Sequence, residues 1–164
     1  MSVLEATLSA NAAFASSFHL GDLPLPPKRK LAVLACMDAR LTVEPALGLQ
    51  TGDAHIIRNA GGIATDDAIR SLIISHKLLG TETFLVVNHT GCGMLTFKDE
   101  ELQQRLAEET GEDAGGNTFH AFSDLEENVH TQVKRIRDNP FLPKSIEVHG
   151  LVYDVKSGRL SVVL

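Results

Sequence analysis

The sequence predicts an α/β fold with a four- to five-stranded, mostly parallel sheet flanked by helices and preceded by an N-terminal helical arm. Four short runs rich in Val, Ile and Leu, suited to strands covered on both faces, lie at 31–35, 54–58, 83–87 and 146–150. Helical stretches separate these runs, and such alternation is typical of parallel sheets with right-handed crossovers. With 164 residues, 43% of them hydrophobic, the chain suits one globular domain over residues 1–164.

The segment 1–25 is expected to form a helical arm followed by a proline-rich linker. Ser2 and Glu5 have capping-box spacing at the start of a helix predicted over 2–17. The segment 22–30, DLPLPPKRK, ends the helical pattern because three prolines cannot sustain a helix. A second subunit could cover the apolar side chains of this helix, which are Val3, Leu4, Leu8 and Phe14.

Three further helices are predicted at 65–79, 97–110 and 123–138. Thr65 is the expected cap of the first, and Gly80 is expected to end it. Ser123 and Glu126 have capping-box spacing at the start of the last helix. The closing residues 151–164 contain a Lys-Ser-Gly turn between two strand-like runs and are expected to form a hairpin.

The net charge and the cysteine content limit the expected binding partners and the expected cellular compartment. The net charge is -6, from 15 Lys+Arg and 21 Asp+Glu, so neither nucleic acid nor an anionic membrane surface is an expected partner. No apolar run approaches the length of a membrane span, and the first residues lack the features of a secretory signal, so a cytoplasmic location is expected. In that reducing compartment Cys36 and Cys92 are expected to be metal-binding, catalytic or buried thiols rather than a disulfide.

Both cysteines and one histidine follow strands of the predicted sheet. Cys36 comes directly after the first strand, and His89 and Cys92 follow the third. Because the carboxyl ends of parallel strands meet at one edge, we expect the three side chains to lie close together. Two thiolates and an imidazole suit zinc, and three protein ligands leave a fourth position open. The six other histidines lack such neighbours and are interpreted as surface or core residues.

Asp38 and Arg40 lie two and four residues beyond the first candidate ligand. The Asp38 carboxylate can occupy the open coordination position, or it can accept a hydrogen bond from a zinc-bound hydroxide. The fixed fork of Arg40 can hold that carboxylate in place and keep it ionised. The ordinary alternative is a solvated ion pair in a loop, which contributes little.

Three motifs in this order and spacing resemble the signature of the β-class carbonic anhydrases, in particular the small bacterial and archaeal members. They are CMDAR at 36–40, RNAG at 58–61 and HTGCG at 89–93. The resemblance extends from about Pro26 to the closing segment around Tyr153 and Gly158.

This resemblance implies a function, a cofactor and an assembly. Zn²⁺ would be held by Cys36, His89 and Cys92, while Asp38 and Arg40 would form a catalytic dyad that controls the fourth position, with Asp38 as a metal ligand in a closed form only. The enzyme would be a zinc lyase, a carbonate dehydratase, whose zinc-bound hydroxide hydrates CO2 reversibly to bicarbonate. The family's N-terminal helix wraps around a partner subunit and its active sites lie at the dimer interface, so a homodimer is expected, with pairing of dimers into tetramers left open.

Two further residues are candidate substrate contacts, and two depart from the family pattern. Gly61 and Met94 are predicted to border a narrow apolar pocket suited to CO2, although ordinary core packing explains such residues equally well. Gly91 stands where close relatives often carry Asp, and Asn88 stands where many have Gly or another small residue.

Three other functions remain open at the level of sequence. The same site could hydrolyse carbonyl sulfide or carbon disulfide. The chain could instead be a non-catalytic zinc-binding module, closed by Asp38, or a thiol enzyme in which Arg40 activates Cys36 as a nucleophile.

Overall fold

A computed structural model describes all residues from Met1 to Leu164 and contains one five-stranded sheet. The strand order is β2-β1-β3-β4-β5. The first four strands along the chain are parallel, and β5 is antiparallel to β4. The predicted four- to five-stranded, mostly parallel sheet is therefore confirmed, as is the closing hairpin. The strands are Leu31–Cys36 (β1), Ala54–Asn59 (β2), Thr83–His89 (β3), Glu147–Tyr153 (β4) and Leu160–Val162 (β5).

Five α-helices and two 3₁₀ turns connect or precede the strands. None of these helices combines the length and apolar character that a membrane crossing requires. The helices are Val3–Ser16 (α1), Val43–Ala46 (α2), Asp66–Leu79 (α3), Asp99–Thr110 (α4) and Leu125–Arg137 (α5), and the 3₁₀ turns are Ala60–Gly62 and Gly93–Leu95.

The four predicted helices are confirmed to within two residues at each end, whereas the short α2 was not predicted and the predicted cap of α5 is wrong. Thr65 caps α3 through its hydroxyl, and Gly80 ends that helix in the left-handed conformation. The cap of α5 is not Ser123, as the spacing of Ser123 and Glu126 had suggested. Asp124 takes that position instead, and its carboxylate accepts a hydrogen bond from the N–H of Glu127 at 2.9 Å. Ser and Asp are comparable caps, and here Asp124 is used, so the helix begins one residue later than Ser123 would have set.

The N-terminal arm forms as predicted but has no buried residue. Its capping box is complete, because the Ser2 N–H donates to Glu5 Oε2 at 2.7 Å and the Glu5 N–H donates to Ser2 Oγ at 3.2 Å. Its apolar side chains are all exposed to solvent in the isolated chain, and these are Val3, Leu4, Leu8 and Phe14.

The sheet separates two apolar clusters, and β1 contributes to both. Side chains alternate between the faces of a strand, so Ala32 and Leu34 face one cluster while Val33 and Ala35 face the other. The first cluster includes Leu72 of α3 with Phe84, Val86, Val129 and Val133. The second includes Leu41, Val43, Val87, Met94 and both cysteines.

The register of the sheet places the carboxyl ends of three strands at one edge. Cys36 of β1 is level with Asn59 of β2, and Ala35 is level with Val87 of β3. The turn after β2 and the last residues of β3 therefore lie beside Cys36, which is the arrangement that the strand–helix alternation predicts.

A close approach between α5 and β4 generates a stability prediction. A Cβ atom on Gly150 would overlap Val129 Cγ1. Gly150→Ala should therefore lower the free energy of unfolding by roughly 1–3 kcal/mol, because the packed helix must move away from the sheet. Urea unfolding followed by circular dichroism measures this change.

Gly116→Ala is the matched control, because a Cβ atom there has no neighbour within 4 Å. Its unfolding midpoint should stay at the parent value. Equal stability of the Gly150→Ala variant and the parent would contradict the close packing of α5 on β4.

Candidate metal centre

Cys36, His89 and Cys92 form one buried cluster at the carboxyl edge of the sheet. One ligand atom from each residue lies within 4.8 Å of the other two. Cys36 ends β1, His89 ends β3, and Cys92 lies in the tight turn that follows. The two sulfur atoms are 3.9 Å apart and both cysteines are free thiols, as the sequence predicts. The residues expected to meet are thus brought together by the topology.

The ring of His89 is oriented for coordination through Nε2. Its Nδ1–H donates to the carbonyl oxygen of Thr90 at 3.0 Å, which fixes the tautomer. Nε2 is the only buried side-chain nitrogen or oxygen atom in the chain without a nitrogen or oxygen partner. A buried polar atom without a partner is costly, so this atom marks the place of a missing group.

The two thiols share a single negative charge when no cation is bound. The hydrogen bond with Cys92 lowers the pKa of Cys36 to about 4, and the same contact raises the pKa of Cys92. Contact with the Cys36 sulfur in turn raises the pKa of His89. Two sulfurs and one nitrogen are the donors that zinc prefers, and a bound cation would stabilise the second thiolate and the neutral imidazole. The residues present therefore fit zinc.

Asp38 and Arg40 form a bidentate ion pair beside this cluster. Asp38 Oδ1 accepts from the Arg40 backbone N–H and from Nε, both at 2.9 Å, and Oδ2 accepts from Nη2 at 2.7 Å. The Asp38 Oδ2 atom lies 3.7 Å from His89 Nε2. The guanidinium of Arg40 holds the pKa of the carboxyl group well below its usual range. Asp38 is therefore ionised and adjacent to the candidate ligands.

Two arginines tie the metal-centre loops together. Arg40 Nη2 also donates to the Gly91 carbonyl at 2.9 Å, which joins the loop after β1 to the loop after β3. Arg58 of β2 donates from Nε to the Cys36 carbonyl at 2.9 Å and from Nη2 to the Asp38 carbonyl at 2.7 Å. Arg58 is the first residue of the RNAG motif, and the sequence alone indicates no role for it. Its acceptors are backbone carbonyls, which every residue has, so the sequence does not indicate these hydrogen bonds.

The two predicted substrate contacts lie together at the metal centre. Gly61 and Met94 are both buried, and a Cβ atom on Gly61 would lie 3.1 Å from Met94 Cγ. Gly61 has a φ of 82°, and its turn packs on Cys36, since a Cβ atom on Gly62 would lie 3.1 Å from the Cys36 backbone nitrogen. Contact of these two residues with a substrate stays a prediction. The other histidines lie outside the cluster, and His55, for example, contacts Ser75 Oγ at 2.7 Å.

Comparison with known proteins identifies one matching family model and relatives that match the full length of the chain. The carbonic anhydrase family model matches residues 31–160. Beta-carbonic anhydrase 1 of Mycobacterium tuberculosis is 44% identical over 163 residues, which cover 99% of each chain. The crystal structure of carbonic anhydrase from Streptococcus mutans is 44% identical and superposes with a TM-score of 0.96 over 100% of this chain and 99% of the other.

A second group of relatives consists of carbon disulfide hydrolases. Carbon disulfide hydrolase of Acidithiobacillus thiooxidans is 36% identical over 155 residues, covering 83% of this chain and 78% of that enzyme. The family model and the full-length relatives agree with the motifs and the buried Cys36, His89, Cys92 cluster. The chain belongs to the carbonic anhydrase family and, within it, to the β class.

Proposed function

We propose that this chain is a zinc-dependent carbonic anhydrase that interconverts CO2 and bicarbonate, with Cys36, His89 and Cys92 as the metal ligands. The observation that carries the proposal is the buried cluster itself, in which a histidine nitrogen without a partner faces two thiols. β-Carbonic anhydrases use zinc, and this donor set suits that ion. A set of three protein ligands is the number found in catalytic zinc sites rather than in closed structural ones.

Zinc, when bound, is a Lewis acid that brings the pKa of water close to neutrality. The residues of the chain supply the rest of the chemistry. Asp38 is an ionised carboxylate that can only accept hydrogen bonds, so it orients a reacting water at the metal centre. Arg40 keeps this carboxylate charged and fixes its plane.

Asp38 is also the candidate fourth ligand of a closed form. Its Oδ2 accepts one hydrogen bond from Arg40 and keeps a second lone pair, so this oxygen can approach a metal ion without losing that bond. In the open form the carboxylate does not ligate the ion, and this is the form in which we propose that Asp38 is catalytic. Met94 and Ile63 pack around Gly61 and provide an apolar wall that suits CO2, which is small and carries no net charge.

Hydrolysis of carbon disulfide is the second candidate function, because relatives with that activity are 34–38% identical to this chain. Hydration of CO2 is favoured since the 44% identical carbonic anhydrase is matched over 99% of its length, against 71–78% for the hydrolases. A thiol nucleophile is disfavoured because Cys36 is only 4% exposed and faces a second thiol.

We also propose that the chain works as a cytoplasmic homodimer. The exposed apolar side chains of α1 support a second copy as the covering partner, since no part of the same chain buries them. The two free thiols support a reducing compartment.

The ligand assignment generates a prediction about metal content and activity. The purified parent should hold one zinc ion per chain and hydrate CO2, whereas His89→Ala should lose the metal and activity. Elemental analysis and stopped-flow hydration assays measure the two properties. His149→Ala is the matched control, because this histidine is half-exposed on the protein surface away from the cluster. Full zinc and full activity in His89→Ala would refute the assignment.

A substitution at Asp38 tests whether this carboxylate is catalytic or only structural. Asp38→Asn should keep zinc but lower kcat/KM for CO2 roughly a hundredfold, because the amide loses the charge and one acceptor.

The substrate preference of the parent is measured by parallel assays with CO2 and carbon disulfide, in which the formation of bicarbonate and of sulfide is monitored.

Asp67→Asn provides the control for removal of an aspartate from an ion pair. Asp67 pairs with Arg70 at 2.9 Å on the exposed face of α3. Its replacement should leave kcat/KM at the parent value. Unchanged turnover in Asp38→Asn would remove this residue from the mechanism.

The proposed homodimer predicts a change of mass when the arm is altered. Leu8→Glu places a charge on the apolar surface of α1 and should convert dimers to monomers, as measured by gel filtration with light scattering. Ser9→Glu adds the same charge about 100° around the helix and should remain dimeric. A monomeric parent, or a Leu8→Glu variant that is still fully dimeric, would contradict the proposal.

A further inference from the structure

Three side-chain amides form a buried chain behind the metal centre. Asn88 lies on β3, directly before the ligand His89, and Asn128 and Gln132 lie one turn apart on α5. They are 1%, 7% and 5% exposed, respectively, although all three are polar. We name them the amide chain. Their polar atoms need partners, because an unpaired buried amide is costly.

The hydrogen bonds of the amide chain all run in one direction. The backbone N–H of Ala64 donates to Gln132 Oε1 at 3.0 Å, and Gln132 Nε2 donates to Asn128 Oδ1 at 2.8 Å. Asn128 Nδ2 then donates to Asn88 Oδ1 at 2.6 Å, and Asn88 Nδ2 donates to the Gly61 carbonyl at 3.1 Å. Each amide therefore uses its oxygen as an acceptor and its nitrogen as a donor.

This common direction makes the three amides depend on one another. Rotating any one of them by 180° would place oxygen against oxygen on one side and nitrogen against nitrogen on the other. In a buried network such a mismatch affects every member, so a single arrangement is stable.

The amide chain begins and ends on the same turn. Its first donor is the N–H of Ala64 and its last acceptor is the carbonyl of Gly61. The amide side chains therefore connect two backbone groups of the segment 60–64. Within that segment Gly61 and Gly62 have φ values of 82° and 61°. Asn59 ties the neighbouring Ile63, accepting from its N–H at 2.8 Å and donating to its carbonyl at 2.7 Å.

The held turn contacts the first metal ligand. The carbonyl of Gly61 is the end of the amide chain, and the next residue, Gly62, packs directly on the backbone of Cys36. A Cβ atom on Gly62 would lie 2.8 Å from Asn88 Nδ2 and 3.1 Å from the Cys36 backbone nitrogen. There is thus no free space between the amide chain, the glycine turn and the ligand strand.

We propose that Asn88, Asn128 and Gln132 are positioning residues for the zinc site, acting through the turn at Gly61 and Gly62 on Cys36 and through the backbone of Asn88 on His89. This inference rests on the proposed zinc site and extends it to residues of α5 that do not contact the ligands. The amide chain fixes the glycine turn against the backbone of Cys36 and fixes Asn88 beside His89, and it thereby holds these two ligands in place for the metal.

The experiment changes the amide that is furthest from the metal. Gln132→Met keeps the length of the side chain but can neither accept from Ala64 nor donate to Asn128. Gln132→Glu keeps the size and the acceptor, and it replaces the amide donor to Asn128 with a second oxygen that is negatively charged when the group is ionised. Thr131→Ala is the matched control, since Thr131 is the preceding, exposed residue of α5. Circular dichroism and cooperative unfolding establish that each variant is folded.

Two measurements report on the metal site and do not depend on CO2 hydration activity. Zn²⁺ affinity is measured by competition with a chelating dye, and the thiolate and ligand-field absorption bands are recorded with Co²⁺ in place of zinc. Both Gln132 variants should bind Zn²⁺ on the order of tenfold more weakly and shift the Co²⁺ bands, whereas Thr131→Ala should match the parent. Should Gln132→Met not fold, Gln132→Glu carries the test.

Parent values of Zn²⁺ affinity and Co²⁺ spectrum in the folded Gln132 variants would overturn the inference and leave the proposed function intact. A parent that binds neither ion through its thiols would overturn the zinc site itself. The two failures are therefore distinguishable.

Discussion

The structure around the metal centre depends on a charge constraint, which is that two thiols and an imidazole are buried together. The sulfurs of Cys36 and Cys92 are 3.9 Å apart, and His89 Nε2 faces them without a nitrogen or oxygen partner. Two adjacent thiolates repel each other, so without a cation the pair retains a proton. A divalent ion removes the repulsion and supplies the partner that Nε2 lacks. An ion between them would thus account for the burial of these three residues together.

The sheet makes this cluster from residues that are far apart in sequence. Parallel strands end at a common edge, so the register of β1 against β3 brings Cys36 to the end of the strand that carries His89. This part was predictable, because strand–helix alternation sets the direction of the strands and a tight glycine-containing turn follows His89. The caps at Ser2 and Thr65 were predictable for a similar reason, since each acts within three residues of itself.

Contacts between distant polar groups were not predictable in the same way. Arg58 binds the carbonyls of Cys36 and Asp38, and Asn128 of α5 reaches Asn88 across 40 residues of sequence. Backbone carbonyls occur at every residue, so the sequence does not indicate which of them an arginine contacts. An asparagine or glutamine in a helix is usually exposed. Only the packing of α5 on β3 determines that these amides point inward. The cap of α5 was misplaced because Ser123 and Asp124 are both good caps, and tertiary packing decides between them.

Asp38 and Arg40 belong to the site as a pair. With zinc bound, two thiolates and Asp38 would carry three negative charges, while the ion, Arg40 and the neighbouring Arg58 would carry four positive ones. Removing Asp38 would increase this positive excess, and removing Arg40 would free the loop that Arg40 ties to Gly91. Changes at Asp38 and Arg40 should therefore be non-additive with each other, because each breaks the same ion pair. The dyad is in this sense the outermost part of the metal site.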